Sequence, residues 1–166
     1  IGDCVMAFWG APIPNEKHAL SCVQAAIDAQ RSMAAVNVER DAENKRRTEE
    51  NKAREASGQP PLSMLPLLSL GSGINTGTVT VGLMGSTDHL FSYTVFGREV
   101  NLASRLEGVS GRGRIIISEV TYKDLQRDDA ALAATCVALA PVTVKGIRQA
   151  VRIFEVPWKK APASPE

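Results

Sequence analysis

Short stretches of this chain hold the side chains best placed to do chemistry. Gly2-Asp3 sets a carboxylate at a tight turn, and Val144-Lys145-Gly146 carries a mobile point charge beside a glycine. Thr94, in Tyr93-Thr94-Val95-Phe96-Gly97, offers a hydroxyl that both donates and accepts. Asn101 and Arg105 lie four residues apart in the run Val100 to Glu107, so on a helix they share a face and can point into one cleft. Taken singly, each has an ordinary explanation. Asp3 is a hairpin aspartate, Thr94 a β-branched strand residue, Asn101 a polar residue in a first helical turn, Arg105 a solvated charge and Lys145 a turn lysine. Val95 and Val100 are as readily core as ligand lining. Other chemistries lack their motifs: there is no GxxxxGK[ST], HExxH or GxSxG, and His18 and His89 are the only histidines. A phosphate-binding P-loop and a hydrolytic triad are therefore both disfavoured.

The elements that must position these groups follow from periodicity. Ile1 to Trp9 alternates like a strand leaving a turn, so the chain is expected to begin inside an element, with further sequence upstream. Asn15 is a good N-cap for a helix carrying Leu20, Val23, Ile27 and Met33 at helical spacing. From Glu39 to Glu55 the apolar stripe gives way to acid-then-base pairs four apart, Asp41/Lys45, Glu43/Arg47 and Glu50/Arg54, which can carry the helix into solvent as a projecting arm but cannot bury a face. Ser57-Gly58-Gln59-Pro60-Pro61 stops it. Leu65 to Asn75 reads as a strand forming a hairpin with Thr78 to Leu83 across Thr76-Gly77, and Phe91 to Phe96 as a third strand. A helix through Val100, Leu102, Ala103 and Leu106 is closed by Gly108 and Gly111-Arg112-Gly113. Ile115 to Ile117 reads as a buried strand, Ser118 as the cap of a helix reaching about Leu125, and Cys136 to Val144 and Val151 to Val156 as final strands. This order is α+β, with hairpins in place of regular βαβ repeats.

Composition narrows the class. At 166 residues and 44% hydrophobic content the chain suits one compact domain. Its 19 basic and 18 acidic residues are mixed, so no basic stripe points to a nucleic-acid partner. Cys4, Cys22 and Cys136 have neither metal-ligand nor CxxC spacing and are expected to be buried, reduced thiols of a cytoplasmic protein. Ala130 to Val144 is too short to span a bilayer, and no signal peptide opens the sequence, although a larger parent protein could be membrane-attached.

Taken in order, the IGDxVMAxxGAP opening, the GINTG turn, the YTVxGxxVNLASRLE block and the closing VKG resemble the class III adenylate and guanylate cyclases, from Ile1 to about Val156. The resemblance implies a ferredoxin-like class III cyclase homology fold, a central, mostly antiparallel sheet flanked by helices. It makes 1–157 a catalytic domain lacking its N-terminal part, with 39–61 a charged helical insertion and 158–166 a tail. The implied activity is an adenylate cyclase that turns ATP into 3′,5′-cyclic AMP and pyrophosphate at a homodimer interface. By the same resemblance Asp3 is one of two aspartates holding a pair of Mg²⁺ or Mn²⁺ ions, Asn101 orients the ribose, Arg105 faces charge developing on the phosphate, and Lys145 meets the terminal phosphates. Thr94 stands where many relatives read adenine with an aspartate and one bacterial-type branch with threonine, while Val95 and Val100 flank base and ribose. The first metal aspartate and the base-reading lysine of such enzymes lie upstream of the Gly-Asp turn, so this chain alone is expected to be inactive. Guanylate cyclase, or an inactive nucleotide-binding or regulatory homology domain, are the alternatives. An upstream sensor domain is the expected partner in the parent protein.

Overall fold

Ile115-Ile116-Ile117-Ser118 is the most deeply buried stretch of the chain, and the rest of the fold is arranged about it. The computed structural model describes residues 4–85, 91–143 and 150–159. Within them run α1 (His18–Ala56), β1 (Ser72–Ile74), β2 (Thr80–Met84), β3 (Ser92–Phe96), α2 (Arg98–Ser110), β4 (Ile115–Ser118), α3 (Glu119–Asp128), α4 (Ala130–Thr135), β5 (Val137–Ala138) and β6 (Ile153–Val156).

The main sheet has the order β1-β4-β6-β5. β1 lies parallel to β4, and β6 is antiparallel to both β4 and β5. Because successive strand residues face opposite ways, β4 feeds two cores at once. Ile115 and Ile117 join Val23 and Ile27 of α1, Leu125 of α3, Ala133 of α4 and Phe154 on one face. Ile116 joins Ile153 and Leu102 and Leu106 of α2 on the other. An all-apolar strand is what burial on both faces demands. Ser118 then ends the strand and caps α3, its hydroxyl accepting from the Thr121 amide at 3.4 Å. Tyr122 stacks on Phe154 with ring centroids 3.9 Å apart.

Several expectations are corrected. Residues 4–8 form no strand in the structure, since no described segment pairs with them. Asn15 acts one turn before the helix: its Oδ1 accepts from Lys17 N at 2.9 Å and its carbonyl from His18 N at 3.1 Å, and α1 starts at His18. The hairpin partner of β2 is β3, with Val81 opposite Val95 and Gly82 opposite Thr94. The expected long strand shrinks to Ser72–Ile74, which pairs in parallel with β4 and not with β2. The stretch 136–144 supplies only β5 and an isolated bridge from Val142 to Val151; the Lys145-Gly146 turn lies outside the described residues.

The reason the leucine-rich segment is not a strand lies on α1. This helix continues without a break for 39 residues. On its second half Asn37, Asn44 and Asn51 recur every two turns, and each reads one residue of the returning chain with both ends of its amide. The Asn44 Oδ1 accepts from Leu65 N at 2.7 Å while its Nδ2 donates to Leu65 O at 2.8 Å. Asn37 does the same at Leu68 and Asn51 at Leu62. Arg40, Arg47 and Arg54, also seven apart, donate to the carbonyls of Pro66, Ser63 and Pro60. Seven helical residues rise about 10.5 Å, and three residues of extended chain about 9–10 Å, so the two repeats keep step. Residues 60–68 are thus a strap in which every third residue gives both its N–H and its C=O to a side chain of α1, a three-residue repeat that does not match the two-residue repeat of a sheet ladder.

Candidate active site

α2 and β3 place the candidate residues. Gly97, with φ of 142°, turns the chain between them, and Asn101 N donates back to Gly97 O at 3.3 Å to open the helix. Leu102 and Leu106 point into the core. Asn101 and Arg105 fall about 40° apart on the helix wheel, Asn101 about 100° and Arg105 about 60° from Leu102, so Arg105 borders the core stripe and Asn101 stands clear of it. Asn101 is exposed and Arg105 half-buried. Among the described residues neither the Asn101 side-chain amide nor the Arg105 guanidinium has a hydrogen-bond or salt-bridge partner, as is also true of the Arg98 and Arg112 guanidinium groups, whereas Arg114, Arg127 and Arg152 each hold a carboxylate. A cation and an amide left without intramolecular partners, side by side on one helix face, suit an anionic, hydroxylated ligand approaching from outside.

The remaining candidates separate. Val95 is buried and Val100 half-buried, and both line a cavity of about 440 Å³ together with Ile74, Asn75, Glu99 and Ala103. Thr94, half-buried on β3, does not line it, because its side chain leaves the opposite face of the strand from Val95. Asn101 and Arg105 do not line it either. Asp3 and Lys145 lie outside the described residues. Among the described residues no three His, Cys, Asp or Glu side chains converge as a metal site, and Asp3, the one metal ligand expected on this chain, is not among those residues.

The cysteines depart from expectation in degree. Cys4 is exposed, and Cys22 and Cys136 are half-buried. Burial pushes the Cys22 thiol up to about 12 and the Cys136 thiol up to about 11. Cys22 borders the cavity yet stays protonated at neutral pH and is no nucleophile.

Two residues not singled out from the sequence connect these elements. Asn75 Nδ2 donates to Glu99 Oε2 at 2.8 Å and to Glu99 O at 3.1 Å, tying the end of β1 to the first turn of α2. The Thr76 and Thr121 hydroxyls share a hydrogen bond of 3.0 Å, tying the next residue to α3. The available signal was an amide and a hydroxyl between two glycines, a pattern that reads equally well as a plain turn.

Comparison with known proteins agrees with this geometry. The family described as the adenylate and guanylate cyclase catalytic domain matches residues 1–156. An adenylate cyclase of Anabaena cylindrica is 31% identical over 158 residues, 94% of this chain and 27% of the relative, so the chain spans about a quarter of that curated protein. Among solved structures, the adenylyl cyclase CyaB from P. aeruginosa superposes with a TM-score of 0.59 at 32% identity, covering 100% of this chain and 72% of that one. The guanylyl cyclase Cya2 gives 0.57 at 30% identity, covering 89% and 62%. With its sheet flanked by helices and its match over nearly the whole length, this chain belongs to the class III adenylate and guanylate cyclase catalytic domain family.

Proposed function

We propose that the chain is the larger part of an adenylate cyclase catalytic domain, converting ATP to 3′,5′-cyclic AMP and pyrophosphate. The observation that carries this reading is the shared, unpartnered face of Asn101 and Arg105 on α2. The ribose 3′-hydroxyl attacks the α-phosphorus in line with departing pyrophosphate. The attack is intramolecular, and Asn101 holds the ribose in the conformation that points its 3′-hydroxyl at the α-phosphorus of the same nucleotide, while Arg105 faces the negative charge that grows on the phosphate. Thr94 contacts the base, Val95 and Val100 meet base and ribose through their backbone while their side chains stay turned to the cavity, and Lys145 meets the terminal phosphates. Mg²⁺ or Mn²⁺, when bound, lowers the pKa of the attacking hydroxyl and neutralises the leaving group, and Asp3 is this chain's proposed ligand.

A homodimer is proposed because β2 and β3 form a separate two-stranded sheet that leaves Leu83, Met84, Tyr93 and Phe96 exposed. A two-stranded sheet is marginal alone in water, and a second copy would cover it and complete two equivalent sites. GTP is the competing substrate. A threonine hydroxyl at 94 discriminates bases less sharply than a carboxylate, and the likeness to a guanylyl cyclase is nearly as strong as that to an adenylyl cyclase.

The test is cyclisation by the full-length parent protein with ATP or GTP and Mn²⁺. Cyclic AMP formed from ATP and reduced about a hundredfold or more in Asn101→Ala and Arg105→Ala, with nucleotide affinity little changed, is the expected result. Cyclic GMP as the main product moves the assignment to guanylate cyclase, and no product from a confirmed dimer removes the catalytic reading.

A further inference from the structure

α2 lies along residues 71–77 with almost nothing between the two backbones. A methyl group at Gly71 would meet Ser110 Oγ and the Gly111 carbonyl, and one at Gly73 would overlap the backbone of Ala103, Leu106 and Glu107. One at Gly77 would press into the Glu99 side chain. Three glycines of one segment therefore touch the end, the middle and the beginning of the same helix. Such a rail fixes how closely α2 approaches, but glycine hydrogens grip weakly, and a smooth contact resists sliding along the axis less than it resists separation.

The loop that leaves the far end of α2 is tied to the same segment by Gly113 N to Leu70 O and Ser72 N to Arg114 O, each 3.0 Å, and the polar fixture on the helix itself stands at its first turn. Asn75 Nδ2 meets both the side-chain and the backbone oxygen of Glu99, and Gly77 closes on the methylenes of the same glutamate. Glu99 lies two residues before Asn101 and six before Arg105 on that rigid helix. One helical residue of axial slip would carry both groups about 1.5 Å, a misplacement large enough to disable groups that must meet a reacting phosphate. The neighbouring Thr76 is tied to Thr121, so the junction holding Glu99 is itself anchored to α3.

We infer that Asn75 and Glu99 are positioning residues that set the axial placement of Asn101 and Arg105 for cyclisation, an inference that rests on the function proposed above. Glu99→Ala removes the acceptor, whereas Glu99→Gln keeps an amide oxygen for Asn75 Nδ2. In the full-length protein with Mn²⁺ and the nucleotide it turns over, Glu99→Ala and Asn75→Ala are expected to lower kcat about tenfold with KM within about twofold, and Glu99→Gln to restore most of the loss. Unchanged kcat in Glu99→Ala, or Glu99→Gln as impaired as Glu99→Ala, overturns the inference. Amide hydrogen exchange across residues 98–105 is read in parallel: faster exchange in Glu99→Ala, restored in Glu99→Gln, is expected even if the wild type forms no cyclic nucleotide. That last outcome would sink the cyclase reading while leaving the clamp standing; unchanged exchange would sink the clamp.

Discussion

The chain uses two opposite ways of laying an extended segment along a helix. On the projecting half of α1, long side chains reach out to a strap and read its backbone through amides and guanidinium groups. On α2, the segment 71–77 drops its side chains at Gly71, Gly73 and Gly77, and at Gly73 backbone packs directly on backbone. The ladder is a sum of small, separate, solvent-facing terms, each net worth about 0.5–1.5 kcal/mol. The rail is a single steric fit with no slack. The difference teaches which part can be altered piecemeal and which fails at once.

Gly73→Val should produce the largest effect, because its side chain meets helix backbone that cannot rotate away. A loss of more than about 3 kcal/mol, or no folded protein at all, is expected from denaturant unfolding. A well-folded variant with unchanged stability would erase the contrast between rail and ladder. Asn44→Ala lies at the other pole. It removes one rung, so global stability should fall by about 1 kcal/mol or less, while hydrogen exchange and proteolysis near Leu65 quicken and the core stays protected. A global loss as large as that of Gly73→Val would show that the arm and core unfold as one.

The smallest effect is a pH dependence confined to the arm. Hydrogen bonds from Arg46 and then Arg47 hold the Glu43 carboxyl down at about 2, against an ordinary value of 4.5. Since the folded-state value is depressed, the stabilisation is present above the ordinary value and is lost as pH falls through the folded one. Hydrogen exchange over residues 43–47 should therefore differ between wild type and Glu43→Gln at pH 5, and the difference should fade as pH approaches 2. A difference that has already vanished at pH 4 would mean that these ion pairs do not persist in solution.

How much of this was legible depended on whether burial or polar contacts did the shaping. β3, α2, β4 and α3 announce themselves through apolar spacing, glycine punctuation and the Ser118 cap, because hydrophobic burial drives them. The acid-base pairs likewise predict that the helix runs on past Glu39. The strap is opaque: from Leu65 onward it reads as a strand, and nothing in the hydropathy of Leu62, Leu65 and Leu68 tells that asparagines upstream would claim their amides and carbonyls. The parallel pairing of β1 with β4 is hidden too, since it joins segments more than forty residues apart whose register is settled by the sheet. At the site, the four-residue spacing was enough to place Asn101 and Arg105 on one face. Their roles came from resemblance, and the opposite facing of Thr94 and Val95 follows from strand alternation. The Asn75–Glu99 contact was not legible, because an amide placed between two glycines reads equally well as a plain turn.

The unbroken length of α1 has a mechanical consequence. Its seated portion, from Ala19 to Gln30, spans about 16 Å, and the portion from Gln30 to Ala56 about 39 Å. The helix is thus a lever with Gln30 near its fulcrum and an arm ratio somewhat above two. A sideways force at the tip becomes a torque on Val23 and Ile27, which share a hydrophobic cluster with Ile74 and Ile117, while a sub-ångström adjustment of that cluster swings the tip by about twice as much.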